Sequence, residues 1–143
     1  MTLVRDLMTS MVETLQVGDS LDLAAHLMKV GHLRHLPVVD GAEHLIGLVT
    51  DRAILSAWLS HGHPDQENPQ AVAAEVPVEM LMERNVLTVS PDTAAALAAA
   101  LIESSRFGCL PVVDQGKLVG IVTEADFVRF ARRQLEAEAA PPS

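Results

Sequence analysis

The chain repeats itself. Displacing the sequence by 74 residues lays Leu7-Met8 on Leu81-Met82, Val12 on Val86 and Thr14 on Thr88. It also lays Leu23-Ala24-Ala25 on Leu97-Ala98-Ala99, and Leu36-Pro37-Val38-Val39-Asp40 on Leu110-Pro111-Val112-Val113-Asp114. A gap of one residue after the aspartate then brings Leu45, Gly47, Val49 and Thr50 onto Leu118, Gly120, Val122 and Thr123. Duplication constrains the fold more than any single motif, because each copy must be one supersecondary unit used twice. The copies cover residues 3–59 and 77–131. Residues 60–76 form a polar, Pro-containing connector, and 132–143 are a helix end with a frayed Ala/Pro tail.

Each copy predicts the same order of elements. A short opening segment (12–17; 86–89) precedes an amphipathic helix. In the first copy Leu21, Leu23, Ala24, Leu27 and Met28 form the apolar stripe, with Asp19 or Ser20 as cap and Gly31 as terminator. In the second, Ser90-Pro91-Asp92 offers a cap and a first-turn proline ahead of Leu97, Leu101 and Ile102. Two apolar runs follow, 36–39 with 45–50 and 110–113 with 118–123, each pair joined by a short Gly-containing connector that signals a hairpin. A second helix closes each copy, at about 52–59 and 125–138. The fold class is α/β of the α+β kind: a β-α-β-β-α unit, twice. Because about 55 residues bury too little sheet alone, the copies are expected to pack as a pseudo-two-fold pair.

Composition narrows the function. Of 143 residues, 49% are hydrophobic and 20% charged, which excludes global disorder. Aromatics are 3% with no Tyr, so the core is aliphatic and stacking platforms for nucleic-acid bases are missing. A net charge of -9 repels phosphate backbones and anionic membranes. The excess is spread out: 4 positive and 7 negative residues in 1–60, 0 and 3 in 61–77, 6 and 9 in 78–143. A lone Cys109 excludes an intrachain disulfide or a Cys-built zinc site. The start, Met1-Thr2-Leu3-Val4-Arg5-Asp6, has no signal-peptide pattern. The longest weakly charged stretch, 86–102, is Ala-rich and broken by Ser90-Pro91-Asp92, unlike a membrane span. A soluble, cytoplasmic protein is expected.

No catalytic set is visible: there is no Gly-x-Ser-x-Gly, P-loop or His-Glu-x-x-His. The expectation is a protein that is not an enzyme. His26, His32, His35, His44, His61 and His63 show no paired carboxylate or Cys, so solvated or phosphate-side histidines are expected and no metal site. Cys109 reads as a small buried hydrophobe. Arg129, Arg132 and Arg133 read as a solvated cationic face suited to a helix C-terminus.

The ordered set Leu-Met, helix, Leu-Pro-Val-Val-Asp, then Gly-Leu-Val-Thr or Gly-Ile-Val-Thr-Glu-Ala-Asp resembles the cystathionine-β-synthase (CBS) domain. The tandem resembles the two-domain Bateman module and covers about 110 of 143 residues. The resemblance implies a regulatory sensor that binds AMP, ADP, ATP or S-adenosylmethionine in clefts between the copies, with no required cofactor. It further implies that Gly-x-x-Thr-x-x-Asp supplies the ribose contact. A carboxylate accepts from both hydroxyls of a diol, and the Thr lies where its hydroxyl and nearby amides meet phosphate.

Carried across, the second copy holds the whole pattern in Gly120, Thr123 and Asp126. The first copy has Thr50 but Ala53 in place of the acid, and Asp51 lies about 200° away on a helix. One ribose site per chain is therefore expected. The adenine side is expected at Val86, Phe107 and Pro111 for the second site and at Val12 and Pro37 for the first. Positive charge for phosphate comes only from Arg34 and His35, whose counterparts are Gly108 and Cys109. Both threonines also fit as helix caps, and Asp126 fits as a first-turn carboxylate favoured by the helix dipole. The family further implies a homodimer, for which Ile54-Leu55-Trp58 and Phe127-Val128-Ala131 are candidate faces. The alternative is a ligand-free dimerisation or partner-docking scaffold.

Overall fold

A computed structural model describes residues 1–61 and 75–140; most of the connector and the last three residues lie outside the described residues. The chain is an α+β protein in which each copy places a helix, a β-hairpin and a second helix in that order.

In the first copy, β1 (Leu15–Gln16) runs parallel to β2 (His35–Val39), which pairs antiparallel with β3 (Leu45–Thr50). Helix α1 (Leu21–Gly31) buries Leu21, Ala24 and Met28, spaced to share one face. Ser20 caps it by accepting from the Leu23 N–H at 3.2 Å. The expected terminator behaves differently. Gly31 is the last helical residue and His32 takes the left-handed conformation (φ 54°). A Cβ on Gly31 would lie 3.0 Å from Leu33 Cγ, so the glycine makes room for Leu33 to fold back onto the core. Helix α2 (Asp51–His61) follows β3 directly and buries Ile54 and Ala57.

In the second copy, α3 (Ala95–Ser104) precedes the hairpin of β4 (Cys109–Asp114) and β5 (Lys117–Thr123), and α4 (Glu124–Ala139) closes it. The opening segment is reduced to one parallel bridge, Val89 to Val112, at the place where Leu15 pairs with Val38. Ser90-Pro91-Asp92 does not begin α3. The Ser90 N–H donates to Thr93 Oγ1 at 3.0 Å and the Asp92 N–H to Ser90 Oγ at 3.2 Å, closing a turn ahead of the helix. The helix itself starts behind Ala94, which has no capping side chain. The peptide groups of this stretch are engaged elsewhere. Pro91 O and Thr93 O accept from the Arg5 and Val4 N–H groups, and the Ala95 N–H donates to Thr2 O.

Those bonds belong to a latch that the repeat uses twice. Residues 2–9 dock on the second copy: Leu3 bridges Ala94, and Thr9 and Ile121 exchange two backbone hydrogen bonds of 2.9 Å. Residues 76–83 dock on the first copy in the same way. Pro77 bridges Ser20, and Leu48 and Glu83 exchange bonds of 2.9 and 2.8 Å. Each latch carries a short 3-10 turn, Val4–Asp6 and Val78–Met80, with Val4 and Val78 fully buried. The chain accordingly divides into two compact units that interleave the repeats. One comprises Met1–Val12, Leu87–Gln115 and Val119–Ser143; the other comprises Glu13–Val86 and Gly116–Leu118.

Each unit has its own aliphatic core. One is built on Leu15, Leu21, Met28, Leu36, Val49, Ile54 and Val78, the other on Val4, Val89, Ile102, Leu110, Val112 and Val122. The one-residue gap in the repeat is a difference of turns. Gln115 (φ 52°) and Gly116 (φ 82°) form a two-residue turn with both residues left-handed. The first copy uses a longer turn with Glu43 at φ 68°, held by Asp40 Oδ1 accepting from the Ala42 and His44 N–H groups. The His44 N–H is the main reason that the Asp40 carboxyl titrates below its ordinary 3.8.

Candidate functional site

The junction between β5 and α4 gathers polar groups around one buried acid. Thr123 ends the strand in extended conformation and is the N-cap of α4; Asp126 is three residues on. Its carboxylate therefore turns back over the helix start, where free N–H groups await acceptors. Asp126 Oδ2 accepts from the Thr123 N–H at 2.9 Å and from the Thr123 hydroxyl at 3.3 Å. Oδ1 accepts from the Thr9 hydroxyl at 3.2 Å and from Arg129 Nη1 at 2.9 Å. A carboxylate has about four lone-pair sites, and four donors fill them here. The Asp126 side chain is only 2% exposed, whereas its cationic partner is 46% exposed.

The matching junction between β3 and α2 is built on the same backbone with different chemistry. Thr50 Oγ1 accepts from the Ala53 N–H at 3.2 Å, so Thr50 is a helix cap. Ala53 brings no acid. Asp51 is directed to the backbone, accepting from the Arg52 N–H at 2.9 Å. Arg34 and His35 lie at the start of β2, level with the end of β3: His35 pairs with Thr50, and Arg34 O accepts from the Asp51 N–H at 3.0 Å. On the latch, Glu83 stands where the other copy has Thr9.

The remaining candidates divide between the compact units. Val12, Phe107, Pro111, Gly120, Thr123 and Asp126 fall in one; Arg34, His35, Pro37, Thr50 and Val86 fall in the other. The opening-segment valines are thus exchanged relative to the sequence grouping, Val12 standing with the second copy and Val86 with the first. Pro111 is buried in β4 and its carbonyl accepts from the Val89 N–H; Pro37 is buried in β2 opposite Leu48. Phe107 is half-buried with the Arg106 guanidinium 5.0 Å from its ring centre. Gly120 has a packing reason: a Cβ there would lie 2.8 Å from Met8 Sδ and 2.9 Å from Thr9 O. Gly47 is the same case, 2.7 Å from Met82 Sδ and 3.0 Å from Glu83 O. Both glycines let a latch approach a strand.

Two residues of the Asp126 cluster were missed by sequence reasoning. Thr9 lies 117 positions away and its repeat partner is Glu83, so neither spacing nor duplication marks it. Arg129 did leave a signal, since oppositely charged residues three apart on a helix are neighbours. Elsewhere, burial pushes the Cys109 thiol up to about 12, which keeps it neutral and unreactive. Among the described residues, no three His, Cys, Asp or Glu side chains converge to hold a metal ion. Among them also, no helix is long and apolar enough to cross a membrane.

Comparison with known proteins agrees with this architecture. The CBS domain family model matches residues 4–60 and 75–133. A Vibrio cholerae protein named for acetoin utilization (AcuB) has a crystal structure that superposes with a TM-score of 0.85 at 36% identity, over 99% of both chains. The structure of CBSX2 in complex with AMP superposes with a TM-score of 0.79 at 31% identity, over 94% of this chain and 99% of that one. The CBS domain pair of protein MJ0100, in complex with 5-methylthioadenosine and S-adenosyl-L-methionine, gives 0.78 at 28% identity, over 93% and 98%. A homoserine O-acetyltransferase of Methanococcoides burtonii is 37% identical over 131 residues; that match takes in 90% of this chain but only 24% of the enzyme. With a repeat visible in the sequence, a duplicated fold and two matched segments, the chain belongs to the CBS domain family.

Proposed function

We propose that this chain is a regulatory module that binds an adenosine nucleotide or related adenosyl ligand, with Asp126 as the acceptor for the ribose hydroxyls and Thr123 beside it. The observation that carries the reading is the buried Asp126 carboxylate at the β5–α4 junction, in a family whose similar members hold AMP or S-adenosylmethionine. A carboxylate withdrawn from water gains strength as an acceptor of paired hydroxyl donors. The adenine then lies against Val12, Phe107 and Pro111, the apolar candidates that share a compact unit with Asp126. The ligand modulates a protein partner rather than undergoing reaction. The first copy, with Ala53, binds no ribose.

A second copy of the chain is the proposed assembly partner. Of the apolar helix residues suited to that contact, Leu55 on α2 and Val128 on α4 are exposed, Trp58 and Phe127 are half-buried, and Ile54 is committed to the core. The competing reading is a ligand-free scaffold, favoured by one observation: every lone pair of Asp126 already has a donor.

Calorimetric titration with AMP, ADP, ATP and S-adenosylmethionine separates the two. Asp126→Asn is the variant of choice because it preserves the shape of the helix start. Saturable binding to the wild type that Asp126→Asn loses while still melting as a folded protein is the expected result. A ligand at a hundredfold its Kd raises wild-type stability by about 2.7 kcal/mol. A folded wild type that none of the four stabilises belongs to the scaffold reading.

A further inference from the structure

The four donors on Asp126 are not equally movable. The Thr123 N–H is backbone at the start of α4, and the Thr123 hydroxyl belongs to the same cap. Both serve Oδ2, and losing them opens the first turn of the helix. Oδ1 is different. It is served by the Thr9 hydroxyl, which can rotate about its own bond, and by the Arg129 guanidinium on a long side chain that is 46% exposed. A ribose diol brings two donors to a carboxylate that has no vacant acceptor position and is 2% exposed. Something must leave first, and Arg129 is the group that water can take back most cheaply.

We propose that Arg129 is a built-in competitor for the ribose acceptor: its guanidinium holds Asp126 Oδ1 until a ligand displaces it. This rests on the reading of Asp126 as the ribose acceptor. The exchange substitutes neutral hydroxyl donors for a charged one, so it weakens binding by part of the value of a charge-assisted hydrogen bond. Arg129 therefore sets affinity without touching ligand. Its sign is opposite to that expected of a phosphate-binding arginine, whose removal weakens the complex.

Adenosine is the probe, because it carries the diol and no phosphate to which a freed guanidinium is drawn. Its affinity is measured by calorimetry for the wild type, Arg129→Met, Asp126→Asn and Arg132→Met. The last removes the same charge from the same helix, where Arg132 faces Glu136 at 3.9 Å. Arg129→Met is expected to bind adenosine about three- to tenfold more tightly than wild type, with Arg132→Met unchanged and Asp126→Asn without binding. Added salt is expected to tighten wild-type binding by screening the exposed ion pair, and to leave Arg129→Met unmoved. Wild-type binding that depends on Asp126 and equals or exceeds that of Arg129→Met at every salt concentration overturns the competitor. Absence of adenosine binding in both wild type and Arg129→Met, each folded by its melting curve, removes instead the ribose-acceptor reading on which it rests.

Discussion

The two strand-to-helix junctions share a backbone and differ in where they keep their acid. At β5–α4 the carboxylate is on the helix (Asp126) and a neutral hydroxyl comes from the latch (Thr9). At β3–α2 the helix offers a methyl group (Ala53), and the latch carries the carboxylate, Glu83, with Oε1 3.4 Å from the Asn85 nitrogen. Thr caps and latch bonds are common to both. One junction has an acid on the helix and a neutral latch residue, the other a neutral helix residue and an acid on the latch. Two carboxylates at one junction would repel, and the repulsion grows as water is excluded. The scaffold was duplicated, and the chemistry was not.

The largest expected effect tests the common part. Ala at Gly120 puts a Cβ 2.9 Å from Thr9 O, and Ala at Gly47 puts one 3.0 Å from Glu83 O, each beside a methionine sulfur that is closer still. The sulfurs can swing away; the carbonyls cannot without loosening a latch. Gly120→Ala and Gly47→Ala are each expected to cost about 1–3 kcal/mol in denaturant melts. A cost at one junction alone would break the equivalence of the two latches.

The same contrast explains what the sequence could and could not reveal. Hairpins, helices and the caps at Ser20, Thr50 and Thr123 rest on residues within a few positions of each other, so period and turn chemistry expose them. Asp126 was legible for the same reason: it lies three residues from the cap it reaches back to. Thr9 was not, because its contact with Asp126 spans 117 positions and leaves no local pattern. Pro91 misled because a proline after Ser is a good helix start in isolation, while the peptide groups of residues 91–95 are held by the latch. Val12 and Val86 end the two latch segments, so each falls in the compact unit of the other copy while the rest of its opening segment stays with its own.

Installing the missing acid sharpens the comparison. Ala53→Asp gives the first junction the carboxylate that its partner has, positioned to reach back to the Thr50 N–H and hydroxyl. It also sets that carboxylate on the same junction as Glu83. The single variant is therefore expected to gain little stability. Ala53→Asp with Glu83→Thr restores the neutral-latch arrangement, and about 0.5–2 kcal/mol over the single variant is expected in thermal melts, the usual range for a helix-start acceptor. If the acid's position is what confines ligand to one junction, calorimetry on the double variant finds a second equivalent of adenosyl ligand per chain. Equal stability of single and double variants would show that the acid's position is indifferent to the latch.

The smallest effect concerns the turns. The second hairpin closes on Gln115-Gly116 by backbone conformation alone, whereas the first relies on a carboxylate, Asp40, that accepts from the Ala42 and His44 N–H groups. Because those donors favour the ionised form, the folded-state value of Asp40 lies below its ordinary 3.8, with the His44 N–H as the main cause. The sign follows: an acid depressed on folding contributes stability above its unfolded value, and the contribution is lost as pH falls through the folded one. Asp40→Asn keeps an oxygen at the turn and removes the charge. The wild type is expected to protect the Ala42 and His44 amides from exchange better than this variant at pH 6, and to lose that advantage as pH falls below 3.8. Amides flanking Gln115-Gly116 should show no such difference. An advantage that survives into strong acid would mean the turn is set by backbone geometry in both copies, and that the extra residue of the first hairpin needs no charge to hold it.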